Sequence, residues 1–213
     1  MKVQWLIFFF LVIKICTNAQ CVDTIIATKA YTSYYSFELK NPLMVTYTLY
    51  HGGGECDRSN FSFKDKWLGH KGATMKDYSK SGYDKGHLAN AEDFAYDCIL
   101  DESTFRFWNC YPQTPKLNRG IWKALEEKVR KISQTDSLLI LCGGFYNSNA
   151  TIGDNIAIPT SCWKVVYSYT KQRILFSYIF TNDSLPVSSR ISVEELNNML
   201  KNKYEIDIHK LLR

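Results

Sequence analysis

The hydrophobic pattern changes period several times along the chain, and each change marks an element. Residues 42–50 read Pro-Leu-Met-Val-Thr-Tyr-Thr-Leu-Tyr, a β-branched and aromatic run that predicts a strand, and His51-Gly52-Gly53-Gly54 closes it. From Asp57 to Gly82 the sequence is rich in Lys, Asp and Ser with little periodicity, which predicts mostly loop. Order returns over residues 118–132, where Ile121, Trp122, Leu125 and Val129 recur at helical spacing with charges between them. Strands are then predicted over 138–143, over 156–169 with a break at Pro159, and over 173–181. Ser192-Val193-Glu194-Glu195 is a capping box opening a C-terminal helix that runs to about Lys201. Strands and helices do not alternate as β-α-β units, and no repeat or linker divides the chain. The expected fold is α+β, one domain over residues 20–213 built on a mainly antiparallel central sheet flanked by helices.

Composition supports a folded chain. Of 213 residues 46% are hydrophobic, and only 11 are Gly and 5 Pro, which excludes disordered and collagen-like classes. No apolar run reaches the roughly 18 residues of a membrane-spanning helix. At the start, Lys2, the apolar run from Trp5 to Ile13 and the small residues before Gln20 describe a secretory signal cleaved after Ala19. The mature protein is therefore expected to be secreted, extracellular or periplasmic, with no membrane attachment. Cys16 would leave with the signal, and Cys21, Cys56, Cys98, Cys110, Cys142 and Cys162 would remain. In an oxidising compartment these six are expected in disulfides, with connectivity open. The chain has no C-x-x-C pair to suggest a zinc ribbon or a redox motif.

Charge is informative by location. The net charge is +5, and the positive excess concentrates in residues 57–90 and 115–131, leaving the rest net acidic. Two basic segments in an otherwise acidic chain fit a polyanion-binding face, although solvated surface lysines give the same count.

Candidate chemistry gathers in two segments. Ser81-Gly82-Tyr83-Asp84-Lys85-Gly86-His87-Leu88-Ala89 sets a histidine after glycine, between an acidic-basic pair and small apolar residues. A lone histidine is more often structural than catalytic. Residues 104–126 carry Asn109 and Asn118, nine apart, and then Glu126 eight further on; turn chemistry alone would account for Asn118-Arg119-Gly120.

Together the two segments resemble the DNA/RNA non-specific endonucleases, with their ββα-metal (His-Me finger) site. The family's Asp-Arg-Gly-His, Asn-x-x-Pro-Gln and Asn-x-x-x-Trp-x-x-Leu-Glu runs appear as Asp84-Lys85-Gly86-His87, as Asn109 to Gln113, and as Asn118, Trp122, Leu125 and Glu126. Upstream, Asp57-Arg58-Ser59-Asn60-Phe61, followed by Asp65, is similar to the family's arginine segment. Downstream, Ile158-Pro159-Thr160 and Trp163-Lys164-Val165-Val166 are similar to its later sheet strand. The likeness covers roughly residues 43–213.

The resemblance implies a Mg²⁺-dependent phosphodiesterase, with Mn²⁺ a candidate substitute. It would cut DNA and RNA with little sequence preference and leave 5′-phosphates. His87 would be the general base, since a neutral imidazole accepts a proton from water near neutral pH. Asn118 would be the direct metal ligand, a neutral oxygen suited to a hard ion that keeps its waters. Glu126, two helical turns on, would hold the ion's water, and Asn109 would support this geometry by hydrogen bonding. Arg58 would contact the scissile phosphate through its bidentate fork, and Lys85 and Arg119 would bind substrate. Lys85 departs from the family's Arg, keeping charge and losing the fork. Asn90 also departs, standing where the family commonly has Pro or a small residue, and reads as local loop variation.

Two alternatives compete. A nucleic-acid-binding module of weak or no turnover would have no need of His87, Asn118 and Glu126 together. A Cys/His hydrolase finds no supporting motif. Asn60, Asn149 and Asn182 each open an Asn-x-Ser/Thr sequon.

Overall fold

The computed structural model describes residues 21–64 and 67–212. The expected signal segment and Asp65 lie outside the described residues. In chain order the strands are β1 Thr24–Ala27, β2 Thr32–Ser36, β3 Asn41–Leu49, β4 Asp84–His87, β5 Cys110–Gln113, β6 Leu138–Phe145, β7 Thr151–Ile152, β8 Ile156–Ala157, β9 Ser161–Ser168, β10 Arg173–Thr181 and β11 Ser188–Arg190. The helices are α1 Met75–Tyr78, α2 Cys98–Thr104, α3 Pro115–Leu117, α4 Lys123–Ser133 and α5 Val193–Tyr204. A π-type turn, Asn118–Trp122, joins α3 to α4 and is kinked at Gly120.

Seven strands form one sheet in the order β1-β2-β3-β6-β9-β10-β11, and every neighbouring pair is antiparallel. Its centre is buried on both faces, so the alternation of a half-exposed strand is missing from β6, whose eight residues are all buried. The period of two persists in what each residue touches. Leu138, Ile140 and Cys142 join one apolar layer with Val45, Tyr47 and Leu49 of β3, and Leu139 and Leu141 join the other.

On the second face α5 lays Leu196, Leu200 and Tyr204 against Trp163, Val165 and Tyr167 of β9. The Ser192 hydroxyl accepts the Glu195 N–H at 3.1 Å, which is the cap expected from sequence; the helix continues to Tyr204. On the first face, Trp122, Leu125 and Val129 pack α4 and the turn before it onto the sheet, with Trp122 edge-on to Phe180 at 5.3 Å. Leu88, Tyr111 and Leu117 belong to this same layer. The β4–β5 hairpin and α4 are therefore fastened to the sheet through one core, and the side chains they turn outward share a fixed frame.

Among its described residues, the loop expected over 57–82 contains a short 3₁₀ turn, Gly69–Lys71, and the short α1, and its apolar Phe63 and Tyr78 form a satellite cluster with Phe107, Cys110 and Ile156. The break expected at Pro159 separates β8 from β9. No helix among the described residues is long and apolar enough to cross a membrane.

Candidate active site

His87 ends β4, opposite Cys110 of β5. Gly86 stands opposite Tyr111, and a Cβ there would lie 2.2 Å from Gln113 Oε1, so the hairpin closes only around glycine. Lys85 and His87 share the other face, and Phe63 meets both: the Lys85 Nζ lies 5.7 Å from its ring centre and the His87 ring 4.8 Å. Phe105 stands edge-on to His87 at 4.9 Å. The His87 Nε2 is buried with no hydrogen-bond partner among the described residues. Burial first, then the charges of Arg58 and Lys85, pull its pKa down to about 3, so the ring is neutral at physiological pH.

Asn109 holds the chain just past His87. It is fully buried; its Oδ1 accepts the Ala89 N–H, and its Nδ2 donates to the Ala89 and Thr104 carbonyls, each at 2.9 Å. Asn118 opens the π-type turn and donates its amide N–H to Asp84 Oδ2 at 3.0 Å, which leaves its Oδ1 without a partner among the described residues. Arg119 grips the same carboxylate with two bonds, at 2.8 and 2.6 Å. Burial works to raise the Asp84 pKa, but these donors and charges hold it below the ordinary range.

Glu126 faces the site from α4 and is 6% exposed. One oxygen accepts from Asn90 Nδ2 and the other from the buried Lys164 Nζ at 3.1 Å, while that ammonium sits 4.2 Å from the Trp122 ring centre. Burial alone would lower the Lys164 pKa, and Glu126 foremost among its neighbours raises it above the ordinary value. Asn90 Oδ1 accepts from Arg130, which also pairs with Asp93 at 3.0 Å, and Asp93 accepts the Tyr47 hydroxyl at 2.8 Å. Burial lifts the Asp93 pKa to about 6, against the pull of Arg130.

Arg58 reaches the site from the loop. Its Nη2 pairs with Glu92 and its Nε lies 3.3 Å from Asp101 of α2, whose side chain is fully buried. The disulfide Cys56–Cys98 ties this loop to α2 beside that contact.

Arg58, His87, Asn118, Arg119 and Glu126 line a single cavity of about 710 Å³. Two residues expected at the site lie off it: Asn109 braces the backbone behind His87, and Lys85 rests on Phe63 and 5.5 Å from the Tyr78 ring centre. The cavity also takes in residues that motif reading passed over, among them Asn90, Glu92 and Arg130. Arg130 was legible as the i+4 neighbour of Glu126, and Lys164 as a lone lysine inside an apolar strand, which requires a buried anion. Asn90 is not loop variation but the joint between Glu126 and Arg130.

One expectation is corrected. Cys142 and Cys162 are not in disulfides: they are buried thiols filling the layer between sheet and hairpin, and burial pushes both up to about 12, which leaves them inert as nucleophiles. The Asn182 sequon is closed to glycosylation in the folded chain, because its side chain is buried, accepting the Thr114 N–H and donating to the Pro112 and Pro159 carbonyls. Asn60 and Asn149 are exposed.

The donors around Asn118 can be set against the needs of a metal ion. Among the described residues no group of three or more His, Cys, Asp or Glu converges as a closed cage. An unpartnered amide oxygen with a carboxylate nearby suits a hard, hydrated divalent cation instead.

The family model for DNA/RNA non-specific endonucleases matches residues 13–210. A nuclease of Nostoc sp. is 34% identical over 116 residues, covering 53% of this chain and 42% of that protein. Bovine mitochondrial endonuclease G is 31% identical over 158 residues, covering 67% of this chain and 52% of that one. The chain spans about half the length of the curated relatives it matches. Among solved structures, one of the EndoG/EndoGI complex superposes with a TM-score of 0.73 at 23% identity, covering 86% of this chain and 84% of that chain. That likeness is one of fold.

Proposed function

The chain belongs to the DNA/RNA non-specific endonuclease family, and on that premise we propose that it is a secreted, Mg²⁺-dependent endonuclease cutting DNA and RNA with little sequence preference. The observation that carries the reading is the shared cavity: a neutral histidine, an arginine and an unpartnered amide oxygen face one space.

Hydrolysis of a phosphodiester requires a base for water and positive charge on the phosphate and leaving oxygen. His87 takes the proton from the attacking water. Arg58 binds the non-bridging oxygens of the scissile phosphate, and Asn109 keeps His87 in register by holding Ala89. Asn118 would hold a Mg²⁺ ion and Glu126 the waters it keeps; such an ion would supply positive charge to offset that developing on the leaving oxygen. The water oxygen bonds to phosphorus as the P–O3′ bond breaks, and the departing oxygen takes a proton from solvent, giving a 3′-hydroxyl and a 5′-phosphate. Arg119 and Lys85 add positive charge for flanking phosphates, and binding weakens steeply with salt as counterions are released.

Digestion of plasmid DNA and total RNA by the purified protein, with Mg²⁺ and with EDTA, tests this. The expected result is loss of both substrates in Mg²⁺ alone, and end-labelling that finds 5′-phosphates. Cleavage that persists in EDTA would remove the metal, and no cleavage by folded protein would remove the activity. The N-terminal sequence supports the export part of this reading, and a secreted product beginning at Gln20 is its test.

A further inference from the structure

Arg58 is the cation that the proposed function assigns to the scissile phosphate, and its partners in the free protein are two carboxylates in unlike settings. Asp101 is wholly buried and meets the Nε edge at 3.3 Å. Glu92 is 38% exposed, lines the cavity beside His87 and Asn118, and meets Nη2. Its backbone is fixed, since Asn90 Oδ1 accepts the Glu92 N–H at 2.8 Å within the turn that follows His87. Among the described residues no acceptor bonds the Arg58 Nη1.

A carboxylate and the two non-bridging oxygens of a phosphodiester offer a guanidinium the same thing: a pair of oxygens sharing one negative charge. We infer that Glu92 is a stand-in for the scissile phosphate, holding Arg58 in the free protein and giving it up when nucleic acid enters, whereas Asp101 is the fixed positioning residue that keeps Arg58 in both states. The inference rests on the reading of this cavity as a phosphodiesterase site. The exposures separate the two roles. Glu92 can rotate into solvent when its partner is taken, and Asp101 has nowhere to go.

A placeholder competes with substrate, so removing its charge tightens binding. A second brace would do the opposite. Glu92→Gln is expected to lower both KM and the dissociation constant for a short fluorescein-labelled DNA duplex, read by anisotropy in EDTA, by about threefold to fivefold, the scale of one exposed ion pair. kcat should not fall. The gain should vanish in the Arg58→Ala background, because the competition acts through that residue. Asp101→Asn should raise KM, and Glu92→Ala should repeat the tightening if the amide finds a new partner. Unchanged or weaker binding by both Glu92 variants, or a gain that survives Arg58→Ala, overturns the inference alone. Wild-type protein that neither binds nor cleaves DNA overturns the functional reading, and this inference falls with it.

Discussion

The two walls of the cavity are built on different principles. One is the β4–β5 hairpin with the π-type turn and α4, carrying His87, Asn118 and Glu126 on elements whose inward side chains belong to the main apolar layer. The other is the loop bearing Arg58, held by a disulfide and two carboxylates, with Phe63 as its apolar foothold. On the proposed function, the first wall fixes groups whose placement must suit proton transfer, and the second holds a long cationic side chain that follows a phosphate and tolerates more play. Damage to the first should appear in kcat, and damage to the second in KM.

The largest test strikes the first wall. His87→Ala should lower kcat by about 10²–10⁴, the usual worth of a general base, with KM and the circular dichroism spectrum little changed. A variant with wild-type turnover would end the assignment of the base and the contrast with it. Next, Lys164→Met leaves the Glu126 carboxylate buried without its ion pair, which should destabilise the fold by about 3–5 kcal/mol in urea unfolding. A cost near zero would show that Asn90 alone satisfies Glu126.

How much of this was legible in the sequence follows the same division. His87, Asn118 and Glu126 stand in local motifs, so they could be singled out before any fold was known, and the structure brings all three to one cavity. The central strands and α5 were equally plain, because their periods and cap are local signals. Asn90, Glu92 and Asp101 matter through contacts 34 to 43 residues away in sequence: Asn90 to Glu126, Arg58 to Glu92, and Arg58 to Asp101. No periodicity encodes such pairings. β1 and β2 passed unseen because partners, not sequence pattern, make them strands: each is stabilised by lying against its neighbour. Cysteine parity misled for a related reason. It reports how many thiols are available, and whether two meet is decided by packing, which made Cys142 and Cys162 core residues.

The second wall is probed by replacing Cys56 and Cys98 together with Ser. Losing the cross-link should cost about 2–4 kcal/mol and raise KM several-fold, with kcat changed much less, since the bridge joins the loop to α2 rather than to the hairpin. Equal losses in kcat would show that the walls are one unit and that the loop helps to set His87.

The smallest effect concerns how stability responds to acid, and it separates the walls by sign. His87 of the first wall has its folded pKa depressed by burial, to about 3, while the unfolded chain takes up its proton near 6.5. Below that pH the unfolded state binds a proton that the folded state refuses, so this group withdraws stability as pH falls from about 6.5 toward 3. Asp101 of the second wall is raised to about 6, burial outweighing Arg58. Its folded state binds the proton more tightly than the unfolded, so it withdraws stability as pH rises from about 4 to 6. Single variants separate the opposed contributions. Urea unfolding above pH 7 and again near pH 5 should show the His87→Ala variant losing less stability than wild type on acidification, and Asp101→Asn losing more. The same sign in both variants would mean that burial does not govern both groups, and the electrostatic half of the contrast between the walls would fail.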